Sequence, residues 1–418
     1  MKRTNLFLSA ISLILLLSLV LGLASCETVV KANDLMEGVT PNEVSPLDDL
    51  SSQSANATDF AVRLLKASAT DGENTLISPL SVMSALSMTA NGAKGETLSQ
   101  MEAVLGMPVD DLNLYFYTYM KTLPQAEKYK LSLANSIWFT DDDRFTPNAD
   151  FLQINADYYG AGAYKAPFNN QTCKDINNWV KKETDGMIED ILDEIPADAV
   201  MYLVNALAFE AEWADVYEKG QVRDGEFTKE NGEKQSVKLM YSQEGKYLES
   251  DNAIGFMKNY AGGKYAFVAL LPNEGVSISD YVASLDGEAL HSLLSNPSSA
   301  TVNAAMPKFE SEFSAEMSDI LKGMGMTDAF DGGTADFSGL GSSSRGNIFI
   351  GRVLHKTFIS VGEKGTKAGA ATVVEMRDEC ADEIIDPKQV YLDRPFVYML
   401  VDCENNLPFF IGTLMSVE

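Results

Sequence analysis

Residues 363–372 read Glu-Lys-Gly-Thr-Lys-Ala-Gly-Ala-Ala-Thr, a run of small side chains lying between two β-like segments near the end of the chain. Small residues need little room, so such a run can enter a close-packed sheet where bulky residues cannot. Side chains of a strand alternate between two faces. One parity here is Thr366, Ala368, Ala370, Thr372, Val374 and Met376; the other is Lys367, Gly369, Ala371, Val373, Glu375 and Arg377. Every charge in this window falls on one face, as a half-buried strand requires. An ordinary surface loop shares the same composition. The alternation ends in Asp378-Glu-Cys-Ala-Asp-Glu383, which reads as an exposed acidic loop.

The flanks narrow the choice. Asn347 to Val361 is long and β-rich, and Pro395–Val401 and Pro408–Leu414 are two further apolar strands joined by a polar turn. A connection of about thirty residues without evident structure of its own is uncommon in a compact domain and is usually functional or disordered.

Ordered segments spread over the chain carry a resemblance: Asn74-Thr-Leu-Ile-Ser-Pro-Leu-Ser81, Met88 to Thr97, Asn135-Ser-Ile-Trp138, Ile176 to Val180, Leu203 to Phe209 with Trp213, Leu270 to Glu274, Met306 to Phe309, Val353-Leu-His-Lys356 and the small-residue run itself. With these the chain resembles the serpins, the serine protease inhibitor family. The resemblance implies an α+β serpin fold, with a helix-rich first half on large, mostly antiparallel sheets and an exposed reactive loop at about 363–389. It implies a suicide-type inhibitor of serine endopeptidases and not an enzyme: the protease attacks the loop, and the cleaved loop inserts into the main sheet with the protease attached. A non-inhibitory member of the fold, or a surface ligand-binding lipoprotein, is the alternative.

Site residues follow from the same resemblance. The hinge comprises Glu363, Gly365, Thr366, Ala368, Gly369, Ala370, Ala371 and Thr372, with Gly369 standing where an Ala is usual. The sheet-opening gate comprises Asn74, Ser78, Ser81, Asn205 and His355, and Trp213 marks the top of the sheet. Glu210-Ala-Glu212 departs from the basic residues often found there. Counting seventeen residues with Glu363 as the first places the reactive bond between Glu379 and Cys380. The return segment is longer than usual, which leaves Arg377, Asp378 and Ala381 as alternatives.

The amino-terminal segment has its own logic. Lys2 and Arg3 precede an apolar run from Leu6 to Leu23, and Leu23-Ala-Ser-Cys26 follows. This is the pattern of a secretory signal over residues 1–25, and the Cys resembles a bacterial lipoprotein acylation site at Cys26. A simple signal peptide or an uncleaved anchor helix are the other readings. Residues 26–54, rich in Ser, Asn and Pro, read as a tether, leaving 55–418 as one domain. The chain is then expected outside the cytoplasm, lipid-anchored to the bacterial surface or secreted, and monomeric. Of 32 basic and 60 acidic residues, the leader removes two basic ones, so the mature charge is 30 − 60 = −30. Such a surface repels nucleic acid and attracts basic partners.

Hydrolytic chemistry finds no footing. Only two histidines exist, His291 and His355. No nucleophile-elbow, zinc-protease or phosphate-loop motif is present, and no catalytic residue, metal or cofactor is expected. His291 lies at a polar helix end and reads as solvated. His355 lies in an apolar strand, where a satisfied buried hydrogen bond is the default. Cys173 and Cys403 read as packing residues. Periodicity predicts a helical face from Asp59 through Phe60, Leu64 and Leu65, more helix over Ser81–Met107 with caps at Asn74 and Thr97, and further helices near Asp280–Ser295 and Ser314–Met324. Strands are predicted over Phe227–Tyr247, Phe256–Leu271 and Thr301–Glu312.

Overall fold

A computed structural model describes residues 32–417 except 124, 127, 142–144, 196–198, 200, 345 and 367–386. In chain order the first half carries β1 (Asn33–Asp34), α1 (Ser51–Ser68), β2 (Thr75–Ile77), α2 (Pro79–Ala90), α3 (Gly95–Leu105), α4 (Val109–Thr122), β3 (Tyr129–Thr140), α5 (Ala149–Tyr159), β4 (Gly162–Ala166), α6 (Asn170–Glu183) and β5 (Met201–Glu212). The second half carries β6 (Val222–Thr228), β7 (Lys234–Glu249), β8 (Ala253–Asn259), β9 (Tyr265–Pro272), α7 (Ile278–Ser284), α8 (Gly287–Ser295), β10 (Ser298–Pro307), β11 (Phe309–Glu316), α9 (Ser318–Gly323), β12 (Leu354–Gly362), β13 (Gly365–Thr366), β14 (Lys388–Tyr391), β15 (Phe396–Asp402) and β16 (Leu407–Leu414).

Two large sheets organise the molecule. The first runs β1-β4-β3-β5-β13-β12-β11, and the second runs β14-β10-β7-β8-β9-β15-β16-β2 with β6 beside β7. Strands β9, β15 and β16 are buried throughout and largely apolar, as strands covered on both faces are. The main core fills the space between the sheets and helices α1 to α4. A smaller one lies under α6, where Trp179, Ile176 and Cys173 meet Trp138 of β3 and Tyr202 of β5. Helix α6 thus lies across the first sheet.

Local chemistry sets several boundaries, and some differ from expectation. Helix α2 begins at Pro79 because Ser78 caps it, its Oγ accepting the Ser81 N–H at 3.4 Å. Asn74 is no cap. The predicted Ser81–Met107 helix is two helices, broken where the Gly92 backbone crowds Leu340: a Cβ at Gly92 would lie 2.6 Å from the Leu340 Cβ. Thr97 caps nothing and instead accepts the Asp336 N–H at 2.9 Å, bringing in a distant loop. Asp280–Ser295 is likewise two helices, each with its own cap, Ser277 and Asp286. Residues Ser314 to Glu316 continue β11, and α9 starts only at Ser318.

The tether is the larger correction. Residues 33 and 34 pair with Lys165 and Tyr164 at the edge of the first sheet. The Asn42 N–H donates to Asp157 Oδ1 at 2.7 Å, the Tyr117 hydroxyl to the Val44 carbonyl at 2.6 Å, and the Leu47 N–H to Thr118 Oγ1 at 2.9 Å. Leu35 and Leu47 pack against the core, Leu50 is buried, and α1 starts at Ser51. Asn, Ser and Pro look like linker composition, yet here the backbone of Asn42, Val44 and Leu47 is satisfied by α4 and α5.

Candidate functional site

Strand β13 is two residues long and sits between β5 and β12: Gly365 and Thr366 face Glu212 and Ala211 on one side, and Gly362 and Val361 on the other. Below it, among the described residues, the one backbone bridge joins Leu203 of β5 to Val353, the residue before β12. Ala211 to Leu203 and Val361 to Val353 each span eight residues, about 26 Å at 3.3 Å per residue. Among the described residues the first sheet therefore carries a gap, one strand wide at β13 and closed at that bridge, with Gly365 and Thr366 at its mouth.

The mouth is built from side chains of both sheets. The Trp213 backbone N–H donates to the Lys364 carbonyl at 2.9 Å and its indole N–H to the Gly362 carbonyl at 2.8 Å. The Tyr217 N–H donates to the Glu363 carbonyl at 2.9 Å. The Trp213 ring stacks on Tyr260, centroids 4.4 Å apart at 11°, and the Tyr260 hydroxyl bonds the hydroxyl of Thr366, which is 1% exposed. Lys258 lies against the Trp213 and Tyr217 rings, its Nζ 5.6 Å from the first centroid and 4.5 Å from the second, and pairs with Glu244 at 3.0 Å. A buried charge needs such a partner. Lys308 pairs with Glu363 at 2.8 Å and holds its carboxyl below the usual carboxylate range. Gly365 is fixed on two counts. Its φ of 153° disfavours side chains, and a Cβ there would lie 2.0 Å from the Ala211 carbonyl oxygen.

Further down the gap, polar groups meet at the amino end of α2. The Ser78 N–H donates to His355 Nε2 at 3.1 Å, so that nitrogen is unprotonated and the ring neutral. Burial alone pulls this imidazole down to about 4. Two residues on, the Thr357 hydroxyl donates to the Leu76 carbonyl at 2.6 Å. On the β5 side the Ser81 hydroxyl donates to Asn205 Oδ1, and the Asn205 amide donates to Asn135 Oδ1 directly across the ladder. Ser84 donates to the same Asn135 oxygen at 3.2 Å.

Of the expected gate, the structure brings Ser78, Ser81, Asn205 and His355 together and leaves Asn74 out. Strand β2 starts at Thr75 and pairs with the end of β16, which carries Asn74 away from His355. Its carboxamide instead ties the chain end, accepting the Met415 and Ser416 N–H groups at 2.6 and 3.0 Å and donating to the Ser416 carbonyl at 2.9 Å. Glu363, Gly365, Thr366 and Trp213 lie together at the mouth. Ala368, Gly369, Ala370, Ala371, Thr372, Arg377, Asp378, Glu379, Cys380, Ala381 and Cys26 lie outside the described residues. Sequence reasoning missed Asn135, Ser84, Tyr217, Glu244, Lys258 and Tyr260. Only the apolar neighbours of Lys258 hinted at its burial. Among the described residues no cluster of ligating side chains could hold a metal.

Comparison with known proteins agrees with this arrangement. The family model described as Serpin (serine protease inhibitor) matches residues 55–417. Human Serpin B8 is 30% identical over 88% of this chain and 100% of its own length. The crystal structure of tengpin, a thermophilic serpin, in its native state is 50% identical and superposes with a TM-score of 0.88, covering 93% of this chain and all of that one. Its latent state gives a TM-score of 0.79 at 47% identity over 91% of this chain and all of that one. With a family match across nearly all of the described residues, and a gapped first sheet whose mouth already holds Gly365 and Thr366, this chain belongs to the serpin family.

Proposed function

We propose that this protein is a suicide-type inhibitor of serine endopeptidases, working as a single molecule tethered outside the cytoplasm by lipid at Cys26. The observation that carries the reading is the one-strand gap with the hinge at its mouth. Continuing the antiparallel register from Thr366, opposite Ala211 and Val361, each further residue advances one position down both strands. Ala368 then falls opposite Phe209 and Ile359, Ala370 opposite Leu207 and Thr357, and Thr372 between Asn205 and His355. These are the inward residues of the small parity, and Thr372 would meet the polar groups at the foot of α2. Val374 would reach Leu203 and Val353, so insertion beyond it requires that bridge to open.

In this mechanism the serine hydroxyl of the protease adds to the carbonyl of the residue before the cut, the peptide nitrogen leaves with a proton, and an ester joins the two proteins. The freed hinge side then fills the gap, gaining ladder hydrogen bonds on both edges and carrying the protease away from the loop. Distortion of the protease outpaces hydrolysis of the ester when insertion is faster than deacylation. His355, neutral and already bonded to Ser78, serves as a structural latch and performs no chemistry.

The test is incubation with a panel of serine endopeptidases. An inhibitor gives an SDS-stable complex and releases a carboxy-terminal peptide whose mass locates the cut; release of the peptide without complex would mean a non-inhibitory serpin. A peptide beginning at Cys380 places Glu379 before the bond, one beginning at Asp378 shifts specificity to Arg377, and one beginning at Ala381 or Asp382 favours a protease with a small apolar pocket. Labelling of the intact chain by radiolabelled fatty acid, lost in Cys26→Ser, tests the anchor.

A further inference from the structure

We infer that Arg223, Tyr241 and Tyr391 form a second contact surface for the target protease, on its primed side; the inference rests on the inhibitory reading above. The three residues come from three strands of the second sheet and make one row. Tyr391 of β14 and Tyr241 of β7 both face Ala305 of β10. Their rings meet edge to face, centroids 6.2 Å apart at 71°, and the Arg223 guanidinium of β6 lies 5.2 Å from the Tyr241 centroid. Tyr391 is 38% exposed, among the few large apolar side chains left in solvent, and Arg223 is exposed as well. The neighbouring acids are already neutralised, Asp224 by Lys238 at 2.6 Å and Glu226 by Lys234 at 2.7 Å. Arg223 has no carboxylate partner among the described residues. Its Nε donates to the Gly220 carbonyl at 3.2 Å, which holds the fork outward over the ring. Exposed Tyr and Arg in a fixed array are the residue types that dominate protein interfaces.

The occupant follows from where the chain beyond the described residues ends. The segment 367–386 returns to the body at Pro387, four residues before Tyr391. From Cys380 to Tyr391 is eleven residues, at most about 40 Å when extended. A protease domain of roughly 200 residues is about 40 Å across, so one seated on the bond overhangs the row. Residues after the cut occupy the primed side, which sets the face presented. The partner's chemistry is bipolar. Segment 367–386 has six acidic and two basic residues, a net −4, and calls for a cationic cleft; Arg223 calls for a carboxylate on the primed rim, beside an apolar surface for Tyr391.

The experiment measures association rate constants of the best-inhibited endopeptidase with the full chain and with Arg223→Glu and Tyr391→Ala, at low and high salt, alongside the yield of SDS-stable complex. We expect each variant to associate about five- to ten-fold more slowly, Arg223→Glu to show an altered salt dependence, and complex yield at long times and unfolding temperature to be kept. Rates within two-fold of the parent for both variants would overturn the surface while leaving the inhibitory reading intact. Absence of any complex with the parent chain would overturn both.

Discussion

Thr366 and His355 are where single side chains decide the outcome. Thr366 is buried with its hydroxyl on Tyr260, so Thr366→Arg would place an unpaired cation against Trp213 and Tyr260 and drive the hinge out of the mouth. The expected result is a folded protein that the protease cleaves as substrate; gel analysis of protease mixtures shows it, and an undiminished yield of stable complex would refute insertion in this chain. His355 has a pKa lowered by burial from 6.5 to about 4, so the neutral form is the folded form. Its contribution, about 3 kcal/mol by linkage, is present in full above pH 6.5 and is lost as pH falls from 6.5 to 4. His355→Gln keeps an acceptor for the Ser78 N–H without titrating. Its denaturant midpoint is expected to fall less steeply than the parent's between pH 6.5 and 4.5, and parallel curves would show that other groups govern acid loss.

At the scale of elements, β13 is a strand barely begun. Under the proposed mechanism, cleavage of the loop lets it lengthen into the gap and pair on both sides, so cut protein should resist heat far better than intact protein, by tens of degrees; calorimetry of both forms decides, and equal unfolding temperatures would favour a non-inhibitory serpin. The amino-terminal strap has the opposite dependence. A chain starting at Leu50 loses the β1 pairing and the bonds of Asn42, Val44 and Leu47, and at ~1 kcal/mol per hydrogen bond this lowers the intact protein's unfolding temperature by several degrees. An unchanged midpoint would mean that these contacts are idle. The strap also marks the limit of sequence reading. The inward position of Thr366 was legible in the alternation of small residues around it, and Trp213, Ser78 and Ser81 were reached through the family resemblance, whereas the cap that Ser78 places on Ser81 was not foreseen. The strap was not legible, because its satisfaction comes from α4 and α5, more than seventy residues away. Lys258 and Tyr260 were hidden for the same reason, since their meeting with Trp213 and Thr366 depends on how two sheets stack. Asn74 was misplaced by the register of β2 on β16, which no periodicity encodes.

Across the whole molecule, an excess of acid coexists with a loop-bearing pole where opposite charges are paired: Lys234 with Glu226, Lys238 with Asp224, Lys308 with Glu363 and Arg394 with Asp393. Under the proposed function, choice of the target at the scissile bond would then rest on the loop, with Arg223 and Tyr391 acting on association. Glu379→Arg is expected to give inhibition of trypsin-like enzymes and to remove that of the original target, because the charge offered to the pocket reverses. Inhibition constants across the panel measure it, and an unchanged profile would move the bond away from Glu379.

The gap between β5 and β12 also introduces time into the description of this protein. Under the proposed mechanism the sheet waits above a lower-energy arrangement that the same chain can supply, so persistence of the waiting form would depend on the height of a barrier and not on the depth of a well. Its useful life is then a half-life, shortened steeply by warming because barrier crossing speeds up several-fold per ten degrees. Under that mechanism the gap is filled once, so capacity would be counted in molecules, each copy removing one protease or none.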